Sequence, residues 1–214
     1  MFVVWNVGQG QWLTYIDADK CLHFDMGGER ADLRLIRKFC GDRLNQLWLS
    51  HGDWDHLNLI RKSSLPGLCL VSRRPRLHSR AKRRMVDPIE NCERFEPPVS
   101  VWAPPASEKT SNGQSLVTVA NGILISGDSS QAQEKKWAWH KDLTPVKTLV
   151  AGHHGSRTSS GEFLLKQLPN LGQAIASCRK ARYGHPHFET EERFRRRNVP
   201  LITTEDWGNL RIAN

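Results

Sequence analysis

The sequence predicts a mixed α/β protein in which two sheets carry helices on their outer faces. Short runs rich in β-branched and aromatic residues alternate with helix-like segments along the whole chain. Several of those apolar runs stop directly at acids or histidines, as strands do where a mixed sheet builds a site at its edge. With 214 residues there is room for one substantial core and too little chain for two full-sized enzyme domains. We therefore read residues 1–214 as one domain. No fixed-period repeat or low-complexity linker divides it, and two topologically similar halves with a boundary near residue 110 fit the spacing.

The segments FVVWNV, WLTYIDA and CLHFDM read as three consecutive strands separated by glycine or charged turns. Residues 29–39 place Leu33, Ile36 and Phe39 near helical spacing, and LNQLWLS returns as a strand that stops at His51. A helix is expected near residues 56–62, then a strand at LCLVSR, a basic loop, and a polar, proline-bearing connection through residues 97–111. SLVTVA and GILISG form a hairpin around Asn121-Gly122, followed by a helix rich in Gln, Lys and Trp. KTLVAG is a strand ending at His153. AIASCR, PLITT and LRIAN complete the strands, with a charged helix at ETEERFRRR.

The composition, 38% hydrophobic and 25% charged, is that of a globular protein. No apolar run approaches the roughly 18 residues of a membrane span, so no membrane insertion is expected. MFVVWNVGQG reads as a first strand rather than an export leader, and a cytoplasmic location is expected. Cys21, Cys40, Cys69, Cys92 and Cys178 are odd in number and widely spaced, and are expected to be buried free thiols. A formal charge of +9 favours a polyanionic partner. From Arg73 to Arg84 there are seven Lys or Arg and no acid, which suits a phosphate-tracking loop or a solvated surface loop.

The chemistry is densest in SHGDWDH, where His51, Asp53, Asp55 and His56 follow a strand directly. Two imidazoles and two carboxylates so close are hard to bury without a metal. ILISGDSS drives a strand into Asp128, and KTLVAG drives another into His153 and His154.

HGDWDH is similar to the H-x-H-x-D-H signature of the metallo-β-lactamase superfamily, and its aspartate at the third position resembles the ComEC subgroup of DNA-uptake proteins. WNVGQGQ, HFDMGG, ILISGD, AGHHGSRTSS and ARYGHPH resemble further motifs of that subgroup, in family order from residue 5 to 187. The resemblance implies a four-layer α/β/β/α sandwich with a dinuclear metal centre at one edge, here expected in a stand-alone chain without the membrane channel of ComEC proteins. It implies that His51 and Asp53 bind one ion, Asp55 and His56 the second, and that Asp128 bridges them. The late histidine ligand is His154 or His153, with His154 preferred because it directly precedes the glycine. Asp25 fits the acid that supports the metal loop from behind.

Three departures bear on the metals. The superfamily's middle histidine has no counterpart between residues 90 and 127, where Asn112 and Ser115 match the ComEC pattern instead. Asn6 and Gln11 stand where the subgroup often has aspartates. The oxygen-rich donor set shifts preference towards manganese, with zinc or magnesium as alternatives.

The implied activity is that of a metal-dependent phosphodiesterase acting on DNA, with Asp55, Asp128 and His185 as catalytic residues. Ser156, Arg157, Arg179, Lys180 and Arg182 are candidates for binding phosphate. His185 has the alternative of a structural histidine braced by Pro186, and His187 is read as structural. Arg193, Arg195, Arg196 and Arg197 are read as surface; Trp54 is read as packing the metal loop down, with stacking on a base as the alternative. Two other functions stay open. One is a degenerate module that binds nucleic acid or a separately encoded protein without cleaving anything; the other is a hydrolase of small esters or nucleotides.

Overall fold

The computed structural model describes residues 1–93 and 100–212; the rest of the proline-bearing connection, at 97–99, and the last two residues of LRIAN lie outside them. β1 (Phe2–Val4), β2 (Leu13–Ile16), β3 (Lys20–Phe24), β4 (Leu44–Trp48) and β5 (Cys69–Leu70) form one six-stranded sheet, completed by β12 (Leu210–Ile212) beside β1. The second sheet runs from β6 (Ser100–Trp102) through β7 (Val117–Ala120), β8 (Ile123–Ile125), β9 (Thr148–Val150) and β10 (Gln173–Ala176) to β11 (Leu201–Thr203). The chain thus crosses from one sheet to the other between Leu70 and Ser100, and its last strand returns to the first sheet.

Alternating side chains sort each strand between two cores. From β1, Phe2 and Val4 meet Ile123 and Ile125 of β8 between the sheets, while Val3 and Leu124 point outward. Outside the first sheet, Val3, Trp5 and Leu47 pack against Ile36 of α1 (Leu33–Cys40), Ile60 of α3 (Ile60–Ser63) and Val86 of α4 (Arg80–Val86). Outside the second, Leu124, Leu149 and Ala174 pack against Trp137 of α5 (Gln131–Ala138), Leu164 of α6 (Glu162–Lys166) and Phe194 of α8 (Phe188–Arg195). Three apolar cores between four layers give the α/β/β/α sandwich. Each large apolar side chain fully buried there contributes about 1.5–3 kcal/mol.

The β7–β8 hairpin turns at Asn121 and Gly122, both at positive φ as a two-residue turn requires. Strands β3 and β4 are parallel, as are β8, β9, β10 and β11. Their carboxyl ends carry Asp25, His51, Asp128 and His153 to one edge of the sandwich.

Four expectations are corrected. The expected helix near 56–62 is two short ones, α2 (Trp54–Leu57) and α3, interrupted at Asn58 and Leu59. The basic stretch is not a loop throughout: Ser79 caps α4 by accepting from the Lys82 amide, and solvent disperses the charge along the helix. Four of the five cysteines are not free thiols, because the fold pairs Cys21 with Cys40 and Cys69 with Cys92, with Cα–Cα distances of 5.8 and 5.0 Å. Cys178 alone is free and buried. Arg193 is no surface residue; it is buried and donates to the carbonyls of Arg157 and Ser159. Among the described residues no helix is long and apolar enough to cross a membrane.

Candidate metal centre

The centre is built around one carboxylate that points away from it. Asp25, at φ 55, accepts from the Ser50 amide, the Ser50 hydroxyl, the Gln11 amide group and His56 Nδ1, each at 2.7 Å. The glycines of the opening motifs let the neighbouring backbones close around this carboxylate. A Cβ on Gly10 or on Gly27 would overlap the Asp55 carbonyl, and the Gln11 amide donates to that carbonyl at 3.0 Å. Gln11, which replaces a carboxylate of the related motif, therefore braces Asp25 and the metal loop together.

With Nδ1 engaged behind it, His56 turns Nε2 into the site. His51 Nδ1 meets the Ser50 hydroxyl at 3.0 Å, and His154 Nδ1 meets the Ser177 carbonyl at 3.0 Å, so both do the same. Among the described residues, the buried Nε2 atoms of His51, His56 and His154 and Oδ1 of Asp128 make no hydrogen bond. Buried polar atoms without partners are costly, and four of them converging on one point fit a metal-binding site. The donor atoms of His51, His56 and Asp128 lie within 4.8 Å of one another, as do those of Asp55, His56 and His154.

The two oxygens of Asp128 divide the donors into two groups. Oδ1 lies 3.1 Å from His56 and 3.9 Å from His154, whose Nε2 is 3.2 Å from Asp55. Oδ2 lies 3.8 Å from His51 and 3.5 Å from His153, and His51 is 3.4 Å from Asp53. His153 and His154 thus flank Asp128 on opposite sides. Their backbones make this possible by adopting left-handed conformations in succession, at φ 49 and 57. Such conformations cost non-glycine residues about 1–2 kcal/mol each. Behind His153, the Asn112 side-chain amide lies 3.4 Å from its Nδ1. Ser115 accepts from the Asp128 amide at 3.0 Å.

Charge is coupled tightly here. Burial alone would raise the Asp128 carboxyl, but the His56 and His154 imidazoles hold it well below the usual range. Burial would likewise lower His56, and the Asp128 and Asp25 charges raise it well above an ordinary histidine. Asp53 is lowered, chiefly by the adjacent His51 imidazole, and Asp55 is lowered by His154 and His56 against its burial. His153 is lowered by burial.

At the mouth, His185 lies with its ring 6.0 Å from that of His153. Gln9 donates to His185 Nδ1 at 3.1 Å while its own carbonyl accepts from the Arg179 amide, which fixes the amide's direction. Burial and the neighbouring imidazoles push His185 down to about 4. It is a neutral ring whose Nε2–H faces away from Gln9. His187 caps α8 by accepting from the Glu189 amide.

The expected phosphate contacts are arranged less simply. Arg179 and Arg182 pair with Glu29 at 3.2 and 2.8 Å, and Lys180 pairs with Glu191 at 2.6 Å. The Ser156 hydroxyl meets Thr158 at 3.0 Å inside its own turn, and Arg157 is exposed. Trp54 does not pack the loop down, because α2 projects it outward and leaves it 45% exposed. Sequence reasoning missed Lys82 and Ser111, which donate to Asp53 Oδ1 at 3.2 and 2.7 Å. Gln9 and Glu29 were missed as well. No spacing signal links these residues to the histidine loop, since only the fold joins them to it.

A sandwich of this layering, with its acids and histidines at the carboxyl edge, has the metallo-β-lactamase fold. The solved metallo-β-lactamase fold protein YhfI from Bacillus subtilis matches it with a TM-score of 0.55 over 95% of this chain and 96% of that one, at 10% identity. In sequence the chain is similar to competence proteins: it is 28% identical to competence protein ComA of Neisseria gonorrhoeae over 98% of its length, and 24% identical to ComE operon protein 3 of Bacillus subtilis over 78%. It is also 26% identical to recombination protein 2 of Haemophilus influenzae over 97% of its length. The chain spans 32%, 24% and 28% of those three proteins respectively. No family model matches it. The chain thus has the metallo-β-lactamase fold and is similar in sequence to competence proteins.

Proposed function

We propose that this protein hydrolyses phosphodiester bonds in DNA using two divalent metal ions, of which manganese is favoured. The observation that carries the reading is the convergence of three buried imidazole nitrogens and Asp128 Oδ1, all without hydrogen-bond partners. His51, Asp53, His153 and Asp128 would hold one ion; Asp55, His56, His154 and Asp128 would hold the other. Three carboxylates among seven ligands form a harder set than an all-histidine site, which favours manganese or magnesium over zinc. Such ions supply an acidified water and offset the charge that grows on the phosphate during in-line displacement.

The protein's own groups prepare the rest. Asp25 fixes the His56 tautomer and orientation, and Ser50 and Ser177 do the same for His51 and His154. Held by Gln9, the neutral His185 offers an Nε2–H to a phosphate oxygen or to the departing oxygen. Ser156 and Arg157 would serve as further phosphate contacts. Arg179, Lys180 and Arg182 become phosphate contacts only by exchanging their carboxylate partners for the substrate. The disulfides support an oxidising compartment in preference to the reducing cytoplasm.

The test is to strip the purified protein of metal and assay single- and double-stranded DNA with manganese, magnesium or zinc restored, with Asp128→Ala in parallel. Removing groups behind metal ligands costs about 10–100-fold, so losing the shared ligand should cost more than about 100-fold. Binding without cleavage under every metal would give the lead to a non-catalytic nucleic-acid module. Neither binding nor cleavage would move the search to small phosphodiesters and esters.

A further inference from the structure

We infer that Glu29 is a positioning residue for His185: with Gln9 and Arg179 it holds the imidazole in one tautomer and one direction at the mouth of the centre. The inference rests on the reading of His185 as a donor to phosphate and adds to that reading the group that keeps the donor in place. Gln9 is the link. A main-chain N–H can only donate, so the Gln9 side-chain oxygen, 3.2 Å from the Arg179 amide, is fixed as its acceptor, and the Gln9 side-chain nitrogen faces His185 Nδ1 at 3.1 Å. That nitrogen donates, so Nδ1 accepts and the ring proton sits on Nε2. A free neutral imidazole exchanges between two tautomers, and here the direction of one amide selects between them.

Glu29 ties together the two residues that aim this amide. Its Oε2 accepts from the Gln9 main-chain amide at 3.2 Å, and both of its oxygens accept from Arg179 Nη1 at 3.2 Å. Arg182 adds a donor at 2.8 Å and the Tyr183 hydroxyl one at 3.4 Å, both from α7 (Lys180–Tyr183), the short helix that leads to His185. A single exposed ion pair contributes little. Here, however, one carboxylate collects donors from residues 9 and 179, which are 170 positions apart in the chain and meet at the same histidine. The opening motif is shaped for it. Gly8 is at φ 73 and a Cβ there would come within 2.5 Å of Glu29 Oε2, while the Glu29 amide donates to the Val7 carbonyl at 2.8 Å. The carboxylate occupies the space that a side chain on Gly8 would need. Against its burial, the Gln9 amide and the two guanidiniums keep the Glu29 carboxyl below its ordinary range, so it stays a charged acceptor.

The test reads the ring nitrogens of His185 by NMR in the metal-free full chain, with its histidines labelled with nitrogen-15. The His185 signals are those lost in His185→Asn. In the unmodified protein the two nitrogens should be widely separated, as a single Nε2–H tautomer requires. Glu29→Ala and Gln9→Ala should each draw them together as the tautomers mix, while the signals of His51, His56 and His154 keep their positions. Glu29→Gln, which keeps an acceptor for Gln9 and loses the charge that holds Arg179, should fall between. The double variant should add nothing beyond either single one, because both act through the same amide. With metal restored, Glu29→Ala should lower kcat for DNA cleavage by on the order of 100-fold with KM little changed. His185 nitrogens that stay apart in Glu29→Ala, or histidine signals that all move together, would overturn the proposal. So would tighter DNA binding by Glu29→Ala with the tautomer intact, which would make Glu29 a carboxylate that keeps the arginines from phosphate. If the ring signals respond as expected and no form of the protein cleaves DNA, Glu29 still positions His185 and it is the phosphodiesterase reading that falls.

Discussion

The two sheets carry the same layers of strand and helix but hold them by different means. In the first, covalent links do the work: Cys21–Cys40 ties β3 to the end of α1, and Cys69–Cys92 ties β5 to the segment beyond α4. The second sheet has no cross-link among the described residues. Its outer helices are joined instead by buried charge. Glu134 on α5 accepts from the Ser160 and Gly161 amides at 2.6 and 2.8 Å, and Arg193 on α8 donates to the Arg157 and Ser159 carbonyls at 3.2 and 3.1 Å. Both groups clamp the turn that follows the strained pair His153 and His154. The half that supplies a braced ligand loop is stapled far from the site, whereas the half that supplies the strained ligands is clamped right behind them. One half should therefore answer to reductant and the other to pH.

Reduction gives the largest expected effect. Links across sequence separations of 19 and 23 residues are each worth about 3 kcal/mol by the loop-closure argument. At about 2–4 °C per kcal/mol for a chain of this size, dithiothreitol should lower Tm by roughly 10–20 °C. Hydrogen exchange should show the loss of protection concentrated in α1 and β3 to β5. Unfolded without reductant, the chain should titrate one thiol, Cys178, and with reductant five. Five thiols before reduction would remove the contrast between the halves altogether.

On the other side, burial pushes Glu134 up to about 7 from an ordinary 4.5, against the backbone amides and Arg193 that pull it down. The folded state then holds this proton more tightly than the unfolded one. The stabilisation is complete below about pH 4.5 and is lost as the pH rises through 7, a change on the order of 3 kcal/mol. Denaturant unfolding at pH 5 and pH 7 reads this directly, with Glu134→Gln as the control that flattens the difference. If the Glu134→Gln variant keeps the pH dependence intact, the clamp is not where the sensitivity lies.

How much of this the sequence disclosed follows from how local each feature is. The strand ends at His51, Asp128 and His153 were legible because an apolar run and the polar residue that stops it are neighbours in the chain. The glycine motifs were legible as motifs, but their reason was not: Gly10 and Gly27 are glycines because the backbone of Asp55, nearly 30 residues or more away, lies against them. Cystine pairing was invisible because spacing says nothing about which strand end meets which helix end. Lys82, Ser111 and Glu29 escaped for the same reason. Trp54 was misjudged because an aromatic in a short loop points either way, and only the placement of α2 decides it.

The smallest expected effect separates the two sides of the centre. Asp25 braces His56, on the side of Asp55 and His154, whereas Ser111 and Lys82 brace Asp53, on the side of His51 and His153. Asparagine tolerates the left-handed backbone found at Asp25, so Asp25→Asn changes the hydrogen bonding without changing the turn. It should weaken one of two manganese-binding steps by about 10–100-fold, measured by titration calorimetry, and leave the other near its original affinity. Ser111→Ala should weaken the other step instead, and by less, because Lys82 still holds the same oxygen. If each variant weakens both steps equally, Asp128 couples the two positions so strongly that the protein has one metal site in the thermodynamic sense, and the division drawn by its two oxygens has no consequence for binding.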